Sequence, residues 1–302
     1  KYAKATDHIK EIVIQVKKLI DKGYAYKIED GYYFDLSKFK DYGKLSRRKY
    51  LEAEDSVTRI DENVNKKNKG DFCLWKFSNK NEKYWDSELG NGRPGWHIED
   101  TAITEKFFGY EYDIHGGARD LIFPHHEAEI AQMESISGKK TFVKYWMHTG
   151  FLNVKGTKMS KSLNNFLTIK EVLENYNYRT IRFFFFLNHY RKPIDFTDET
   201  LVKVKNSSDR ITEFMLNSKG KKGKVDKKLI DKTKKLFFEA LDDDFDTPKA
   251  ASIIFKFITE ANKIGSGDNC CKLLKEINDI FDIFDIREVS IPKEINELVK
   301  ER

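Results

Sequence analysis

Lysine and serine side chains lie close together in one short polar segment, which carries the most distinctive chemistry in the sequence. It reads Lys158-Met159-Ser160-Lys161-Ser162 and follows a predicted strand over residues 147–154. Ammonium groups balance negative charge on phosphates, and hydroxyl groups donate hydrogen bonds to phosphate oxygens. The segment therefore predicts a loop that folds over a triphosphate. On its own, it also fits an ordinary surface loop.

A histidine and a glutamate four residues apart follow Pro124. His125 and Glu129 share one face of a helix with 3.6 residues per turn. Imidazole nitrogens and carboxylate oxygens are good ligands for Zn²⁺, and Asp100 on another predicted helix offers a further oxygen. His126 is expected to point away from this face. The alternative is a surface ion pair between His125 and Glu129, with Asp100 as an ordinary helix-surface carboxylate.

Two glycines end another predicted strand. Gly116 and Gly117 follow His115 at the carboxyl end of that strand, where open α/β sheets bind their ligands. Glycine lets the backbone approach a nucleotide closely, although a simple turn explains the pair equally well. Trp96 lies one helical turn before Asp100, where it is placed to form an apolar wall over a small side chain.

The elements that would position these residues alternate between helix and strand. The pattern predicts a helix over 97–107, a strand over 110–115, a helix over 125–137 and a strand over 147–154. Such alternation is typical of a parallel sheet. Because two strands are too few for that sheet, the region is predicted to be half of a nucleotide-binding domain.

The flanking regions follow other patterns. Before residue 90, a helix over 7–22, a hairpin over 24–34 and a strand over 72–77 predict a small mixed module. Beyond Phe166 the pattern is helical. The predicted helices span 168–176, 178–188, 198–217, 226–240, 247–264 and a final pair over 270–302.

The composition excludes several classes of protein. The 302 residues carry a net charge of +6, and 39% are hydrophobic, which suffices for packed cores and excludes a wholly disordered chain. The longest apolar run, 183–187, is far shorter than the roughly 20 residues that span a bilayer. Cys73, Cys270 and Cys271 form no C-x-x-C pair, which favours a reducing, cytoplasmic environment.

Several uncommon strings occur in one order along the chain. They are Arg93-Pro94-Gly95-Trp96-His97-Ile98-Glu99, Asp113-Ile114-His115-Gly116-Gly117, Phe123-Pro124-His125-His126-Glu127, Tyr145-Trp146-Met147-His148 and the lysine-serine segment. Together they resemble cysteinyl-tRNA synthetase, a family of class I aminoacyl-tRNA synthetases. The resemblance covers nearly the whole chain and is strongest over 93–165. A later string, Asp242-Asp243-Asp244-Phe245-Asp246-Thr247-Pro248, is similar to the helical domain of that family.

The resemblance implies an α/β plus all-α fold. The chain would hold the second half of a class I Rossmann-type nucleotide-binding domain with a connective insertion, followed by a helical bundle. The implied domains are a connective insertion module at 1–92, the catalytic half with the KMSKS loop at 93–166, a stem-contact-like helical linker at 167–204 and a tRNA-binding helical bundle at 205–302.

The resemblance also implies a reaction, the ATP-dependent ligation of L-cysteine to tRNA(Cys) through a cysteinyl-adenylate. ATP would enter with Mg²⁺, and one Zn²⁺ per subunit would be held by Asp100, His125 and Glu129. A thiolate binds Zn²⁺ directly, whereas the hydroxyl of serine is a harder and less acidic ligand. An apolar pocket alone distinguishes a methylene-sized difference by only about 1–3 kcal/mol. The enzyme is expected to be a cytoplasmic monomer with no membrane partner.

Individual residues take roles from the same resemblance. Lys158 and Lys161 would be the catalytic residues of the signature loop. Trp96 would close over the bound cysteine, and Asp120 would hold its ammonium group. The residues that would bind or border ATP are Ser160, Lys161, Ser162, His115, Gly116, Gly117 and Leu152.

The chain also departs from the family pattern. Asp100 stands where many members have cysteine, so it is either an oxygen ligand of Zn²⁺, which we favour, or part of a weaker or rebuilt site. The H-x-G-H signature and a further zinc-ligand cysteine of the first half are absent from the sequence. The first residue is Lys1, and the last predicted helix runs to Arg302. These features predict a fragment, truncated at its N terminus, missing part of its C-terminal region and inactive as given.

Two other functions remain open at this point. A related ligase forms the same adenylate but passes cysteine to an amino sugar. The long helical region and the basic segment 219–224 favour tRNA, although that segment also fits a solvated hinge. The second alternative is a non-catalytic, tRNA-binding protein with a synthetase-like scaffold, against which the intact lysine-serine segment argues.

Overall fold

The chain divides into two compact units, Lys1–Thr149 and Gly150–Arg302. The computed structural model describes residues 2–48, 64–79, 81–159, 163 and 165–285. Each unit has a hydrophobic core of its own. The finer division into four domains stays a prediction.

The first unit opens with a helix and a small antiparallel sheet. Helix α1 (Ile9–Asp21) buries Ile12, Val16 and Leu19 on one face, as its three- and four-residue spacing requires. The strands, in sheet order, are β1 (Ala25–Ile28), β2 (Gly31–Phe34), β3 (Phe72–Phe77) and β4 (Gly92–Pro94). All neighbouring strands are antiparallel. The predicted helix, hairpin and strand are confirmed.

The same unit continues with alternating helices and strands. These are α2 (Trp96–Phe108), β5 (Tyr112–Ala118), α3 (Glu127–Ser137) and β6 (Val143–Thr149). β5 and β6 are parallel, with His115 opposite Trp146 and Gly117 opposite His148. Helices α1, α2 and α3 share one core, which includes Ile98. The predicted parallel arrangement of the two strands is confirmed.

The second unit contains a three-stranded sheet and the remaining helices. The strands are β7 (Leu152–Val154), β8 (Thr157–Lys158) and β9 (Ile194–Asp195), in the order β8-β7-β9. The helices are α4 (Ile169–Asn175), α5 (Tyr178–Phe186), α6 (Asp198–Ser218), α7 (Lys227–Asp242), α8 (Thr247–Ile264) and α9 (Asp268–Phe281). Their core is rich in phenylalanine, including Phe183, Phe237 and Phe257. The predicted helices over 168–264 are confirmed to within a few residues.

One predicted strand is wrong. Residues 147–154 do not form a continuous strand, because β6 ends at Thr149 and β7 begins at Leu152. Between them, the Gly150 N–H donates to the carbonyl oxygen of Tyr190 at 2.7 Å. A Cβ at Gly150 would lie 2.2 Å from the carbonyl oxygen of Lys192, so only glycine allows this approach. β7 consequently pairs with β8 and β9 rather than extending β6.

The last predicted helix pair is only partly described. Helix α9 corresponds to its first member, and residues 286–302 lie outside the described residues. Within the described ranges, every helix is too short or too polar to span a membrane.

Candidate active site

The start of α2 is fixed by a close backbone approach. The Gly95 N–H donates to the carbonyl oxygen of Leu74 in β3 at 2.9 Å. A Cβ at Gly95 would lie 1.8 Å from the carbonyl oxygen of Cys73, so this position requires glycine. Trp96 and Asp100 follow on the first turns of α2. The contact of Gly95 with β3 therefore fixes where α2 begins, and with it the positions of Trp96 and Asp100.

The structure brings the three predicted metal ligands together. His125 Nε2 lies 3.0 Å from Asp100 Oδ2 and 2.9 Å from Glu129 Oε1. One ligand atom from each residue falls within 4.8 Å of the others. Nitrogen and oxygen ligands at this separation suit a transition-metal ion such as Zn²⁺. Their role as ligands remains a prediction.

Burial and mutual contacts shift the pKa values of the side chains in this cluster. Glu129 has no solvent exposure, and among the described residues its Oε1 is paired with His125 while its Oε2 accepts no hydrogen bond. Burial raises the pKa of Glu129 to about 7. Burial alone would lower the pKa of His125, but its contacts with Asp100 and Glu129 outweigh that effect and raise the pKa to about 9. The carboxylates thus favour a positive charge here, which a proton or a metal ion supplies.

Two aromatic rings surround His125. The Trp96 ring stacks on it with centroids 4.6 Å apart and an interplanar angle of 20°, while almost half of the Trp96 surface stays exposed. On another side, His97 Nδ1 lies 2.7 Å from His125 Nδ1. Burial, together with the neighbouring imidazoles, holds the pKa of His97 well below its usual range, which favours the neutral form. The sequence predicted a role for Trp96 in this site but none for His97.

A second group of ligand atoms meets the same glutamate. His115, His126 and Glu129 also place one ligand atom each within 4.8 Å of the others. The expectation that His126 points away is therefore wrong. α3 begins only at Glu127, but His126 itself has α-helical backbone angles, and a residue three positions before Glu129 also lies on its side of a helix.

Both histidines of this second group are held by neighbours. His115 Nδ1 lies 2.5 Å from Tyr112 Oη, and His126 Nδ1 lies 2.8 Å from His148 Nε2. Burial lowers the pKa of His115 to about 4 and that of His126 to about 3. The sequence missed Tyr112 and His148 as members of the site. For His148 the signal was present in the two-residue period of β5 and β6, because His148 lies opposite Gly117, which shares a strand face with His115. Tyr112 lies three residues before His115, so the strand period gave no signal for it.

The two glycines of β5 have different surroundings. A Cβ at Gly117 would lie 2.7 Å from His126 Cε1, so this glycine makes room for the imidazole. At Gly116 the nearest atom is the carbonyl oxygen of Met147 at 3.8 Å, and the residue is exposed. Asp120 is exposed on the short helical turn Arg119–Leu121 that follows β5. The carboxyl end of β5 thus remains accessible beside the buried cluster.

The remaining predicted residues belong to the second unit. Lys158 ends β8, and its Nζ lies 4.2 Å from the centroid of the Phe151 ring. Leu152 starts β7, where its carbonyl oxygen accepts a hydrogen bond from the Met159 N–H at 2.9 Å. Ser160, Lys161 and Ser162 lie outside the described residues.

Sequence comparisons place the chain among the class I tRNA synthetases. Residues 1–206 match the family model for the tRNA synthetases class I (C) catalytic domain, and residues 236–284 match the DALR domain. The chain belongs to this class I family. The predicted fold class, a Rossmann-type catalytic part followed by helices, is confirmed.

Curated relatives give the family a narrower name. A "Cysteine--tRNA ligase" of Methanococcus maripaludis strain S2 is 46% identical over 276 residues, which are 87% of this chain and 57% of that protein. A relative of the same name from Carboxydothermus hydrogenoformans is 44% identical over 274 residues, 88% of this chain and 58% of that protein. The resemblance to cysteinyl-tRNA synthetase is thereby confirmed. The chain spans somewhat more than half the length of these relatives.

A solved structure is similar in fold. Methionyl-tRNA synthetase of Mycobacterium tuberculosis in complex with methionyl-adenylate has a TM-score of 0.60 and 16% identity, covering 87% of this chain and 66% of that one. At this identity, the similarity concerns the fold alone.

Proposed function

We propose that this chain is the part of a cysteine–tRNA ligase that selects L-cysteine and contacts ATP. The proposed reaction joins cysteine to tRNA(Cys) through a cysteinyl-adenylate, with release of pyrophosphate. The observation that carries it is the cluster of Asp100, His125 and Glu129 beneath the half-exposed ring of Trp96. The 46% identity to a relative with that name supports the same reaction.

The donor set fits zinc. Glu129 offers two buried oxygens, and His125 Nε2 lies 2.9 Å from Glu129 Oε1 and 3.0 Å from Asp100 Oδ2. A zinc ion bound there would supply a Lewis acid that prefers the thiolate of cysteine to the hydroxyl of serine. Asp100 replaces a sulfur ligand with oxygen, which zinc accepts. Trp96 supplies an apolar surface over the side chain of the amino acid.

The other proposed contacts concern the two ends of the adenylate. Asp120, an exposed carboxylate after β5, attracts the ammonium group of cysteine. His115, Gly116, Gly117 and Leu152 border the nucleotide, with Gly116 leaving the backbone accessible. Ammonium groups on the segment that begins at Lys158 neutralise charge on the departing pyrophosphate, for which Mg²⁺ is the counterion. Lys161, Ser160 and Ser162 belong to the same proposal.

Transfer to tRNA is assigned to the helical region. The match of residues 236–284 to the DALR domain supports this assignment. Under it, residues 1–92 form the connective insertion, 93–166 the catalytic half, 167–204 the stem-contact-like linker and 205–302 the tRNA-binding bundle.

The test is cysteine-dependent exchange of labelled pyrophosphate into ATP by the longest natural form of this chain. We expect exchange with cysteine and a rate lower by about 100-fold or more with serine. Lys158→Ala is expected to lower exchange by on the order of 10²-fold, whereas Lys170→Ala, an exposed lysine on α4, serves as the matched control. Exchange without cysteine, or transfer of cysteine to an aminoglycoside instead of tRNA, contradicts the proposal.

A further inference from the structure

We propose that a second divalent transition-metal ion binds next to the first position, held by His115, His126 and Glu129. One ligand atom from each of these residues lies within 4.8 Å of the other two, and His126 and Glu129 are buried. The inference shares Glu129 with the proposed zinc site, and therefore rests in part on the proposed function. Its geometry, however, comes from a different pair of histidines.

The spacing of the second group already suits a metal. His115 Nε2 lies 3.4 Å from Glu129 Oε2. With metal–ligand bonds of 2.0–2.1 Å in a tetrahedral site, two ligand atoms stand about 3.3 Å apart. The observed separation is thus close to that of two ligands of one ion. It is long for a direct hydrogen bond between the two groups.

Glu129 has two oxygens that face different histidines. Oε1 lies 2.9 Å from His125 Nε2, and Oε2 faces His115. Both oxygens are buried; Oε1 is paired with His125, but within the described part of the chain Oε2 accepts no hydrogen bond, which is costly for a carboxylate unless a cation binds it. Carboxylates that bridge two ions hold them about 3.5–4 Å apart. Glu129 is placed as such a bridge.

Outer contacts fix the rings of the second group. Tyr112 Oη holds His115 through Nδ1, and His148 Nε2 holds His126 through Nδ1. Metal-binding histidines are commonly oriented in this way by a partner on the other ring nitrogen. Gly117 adds space, because any larger residue there would meet the His126 ring. The ligand class is a borderline ion such as Zn²⁺, Co²⁺ or Ni²⁺, since two imidazoles and one carboxylate suit these metals.

The experiment counts metal ions directly. The full chain is stripped with a chelator, titrated with Co²⁺ while its visible absorption is recorded, and analysed for bound metal after gel filtration. We expect two ions per chain in the unaltered protein. The double variant His115→Asn/His126→Asn should bind one ion, and Asp100→Asn should keep the ion of the second position. His189→Asn, which alters a histidine outside both groups, is the matched control and should bind two.

Each outcome separates this inference from the proposed function. A single ion that is insensitive to the double variant overturns the second position and leaves the first. A single ion that the double variant loses and Asp100→Asn retains supports the second position, and removes the metal from the proposed function. Melting curves show whether the variants fold. If the double variant does not, anomalous diffraction from Co²⁺-loaded crystals of the unaltered chain decides the question, with two peaks supporting the inference and one at His125 overturning it.

Discussion

Two buried carboxylates at the start of α3, one on each side of the helix, have different hydrogen-bond partners. On the side of the 43–46 loop, Glu127 accepts hydrogen bonds from the backbone N–H groups of Gly43 and Ser46, at 3.0 and 2.6 Å. On the side of β5, Glu129 is just as buried, yet in the described part of the chain its Oε1 is paired only with the imidazole of His125, and its Oε2 accepts no hydrogen bond. Because an unsatisfied buried carboxylate is costly, the first side stabilises the fold and the second is arranged for a cation.

The neighbours of the two carboxylates differ in kind. Backbone N–H groups contact Glu127, and such groups only donate hydrogen bonds: they neither titrate nor bind metal ions. Imidazole rings surround Glu129, namely His125 and His115, and each ring can give up a proton or bind a metal. Burial alone therefore does not identify a functional carboxylate. The chemistry of its nearest neighbours does.

The largest expected effect comes from Glu129→Gln. A neutral amide replaces the charged oxygens that face both histidine pairs, so Co²⁺ or Zn²⁺ binding should weaken by at least about 100-fold. In the metal-free chain, the same change breaks the ion pair with His125 but also removes a buried charge whose Oε2 has no hydrogen-bond donor, so the free energy of unfolding should change little. Chelator competition measures the first effect, and urea unfolding with a chelator measures the second. Unchanged metal affinity would show that the two sides of α3 do not differ in function.

Glu127→Gln should show the reverse behaviour. Its amide NH₂ would face a backbone N–H that needs an acceptor, so the free energy of unfolding should fall by about 2 kcal/mol. Metal affinity should stay within a few-fold of the unaltered chain, because Glu127 is in neither ligand group. The same two measurements apply. A large loss of metal affinity with unchanged stability would reverse our assignment of the two carboxylates.

Helical spacing accounts for the proximity of both His125 and His126 to Glu129, although only that of His125 was expected. His125 and Glu129 meet at the i, i+4 distance that was expected of them. His126 also reaches Glu129, which lies three residues later, because this spacing too brings two residues to one side of a helix. Similarly, the helix and strand alternation predicted the parallel pair β5 and β6, but the division of the next strand at Gly150 depends on a contact with Tyr190, forty residues later. Long-range contacts of this kind are not visible in local patterns.

Trp96→Ala probes the open side of the cluster and should have a moderate effect. The indole stacks on His125, and loss of that contact should lower the free energy of unfolding by about 1 kcal/mol. Under the proposed function, the cysteine concentration at half-maximal pyrophosphate exchange should rise severalfold, since the apolar cover is lost. Trp96→Phe keeps a stacked ring and is the control. Equal effects of both variants would argue against a role for the ring face.

Asp244→Asn extends the comparison to a carboxylate in solvent, and its effect should be the smallest. Asp244 accepts hydrogen bonds from Arg191 Nε at 2.5 Å and from Tyr190 Oη at 2.6 Å. These contacts, that of Arg191 foremost, lower the pKa of Asp244 to about 2 from its ordinary value of 3.8. Since the folded-state pKa is the lower one, the contribution to stability is present above pH 3.8 and disappears as the pH falls through about 2.

Urea unfolding from pH 5 to pH 2 measures this contribution. The unaltered chain should be slightly more stable than Asp244→Asn at pH 5, and the difference should vanish towards pH 2. Asp113→Asn is the matched control, because Asp113 is exposed and has an ion pair with a single lysine, Lys144. Metal binding should be the same in all three proteins. A difference that persists at pH 2 would mean that Asp244 acts through the shape of its turn, in which it has a positive φ of 55°, and not through its charge. In that case, hydrogen bonding to a carboxylate would explain the stability of the buried side of α3 but not that of this exposed turn.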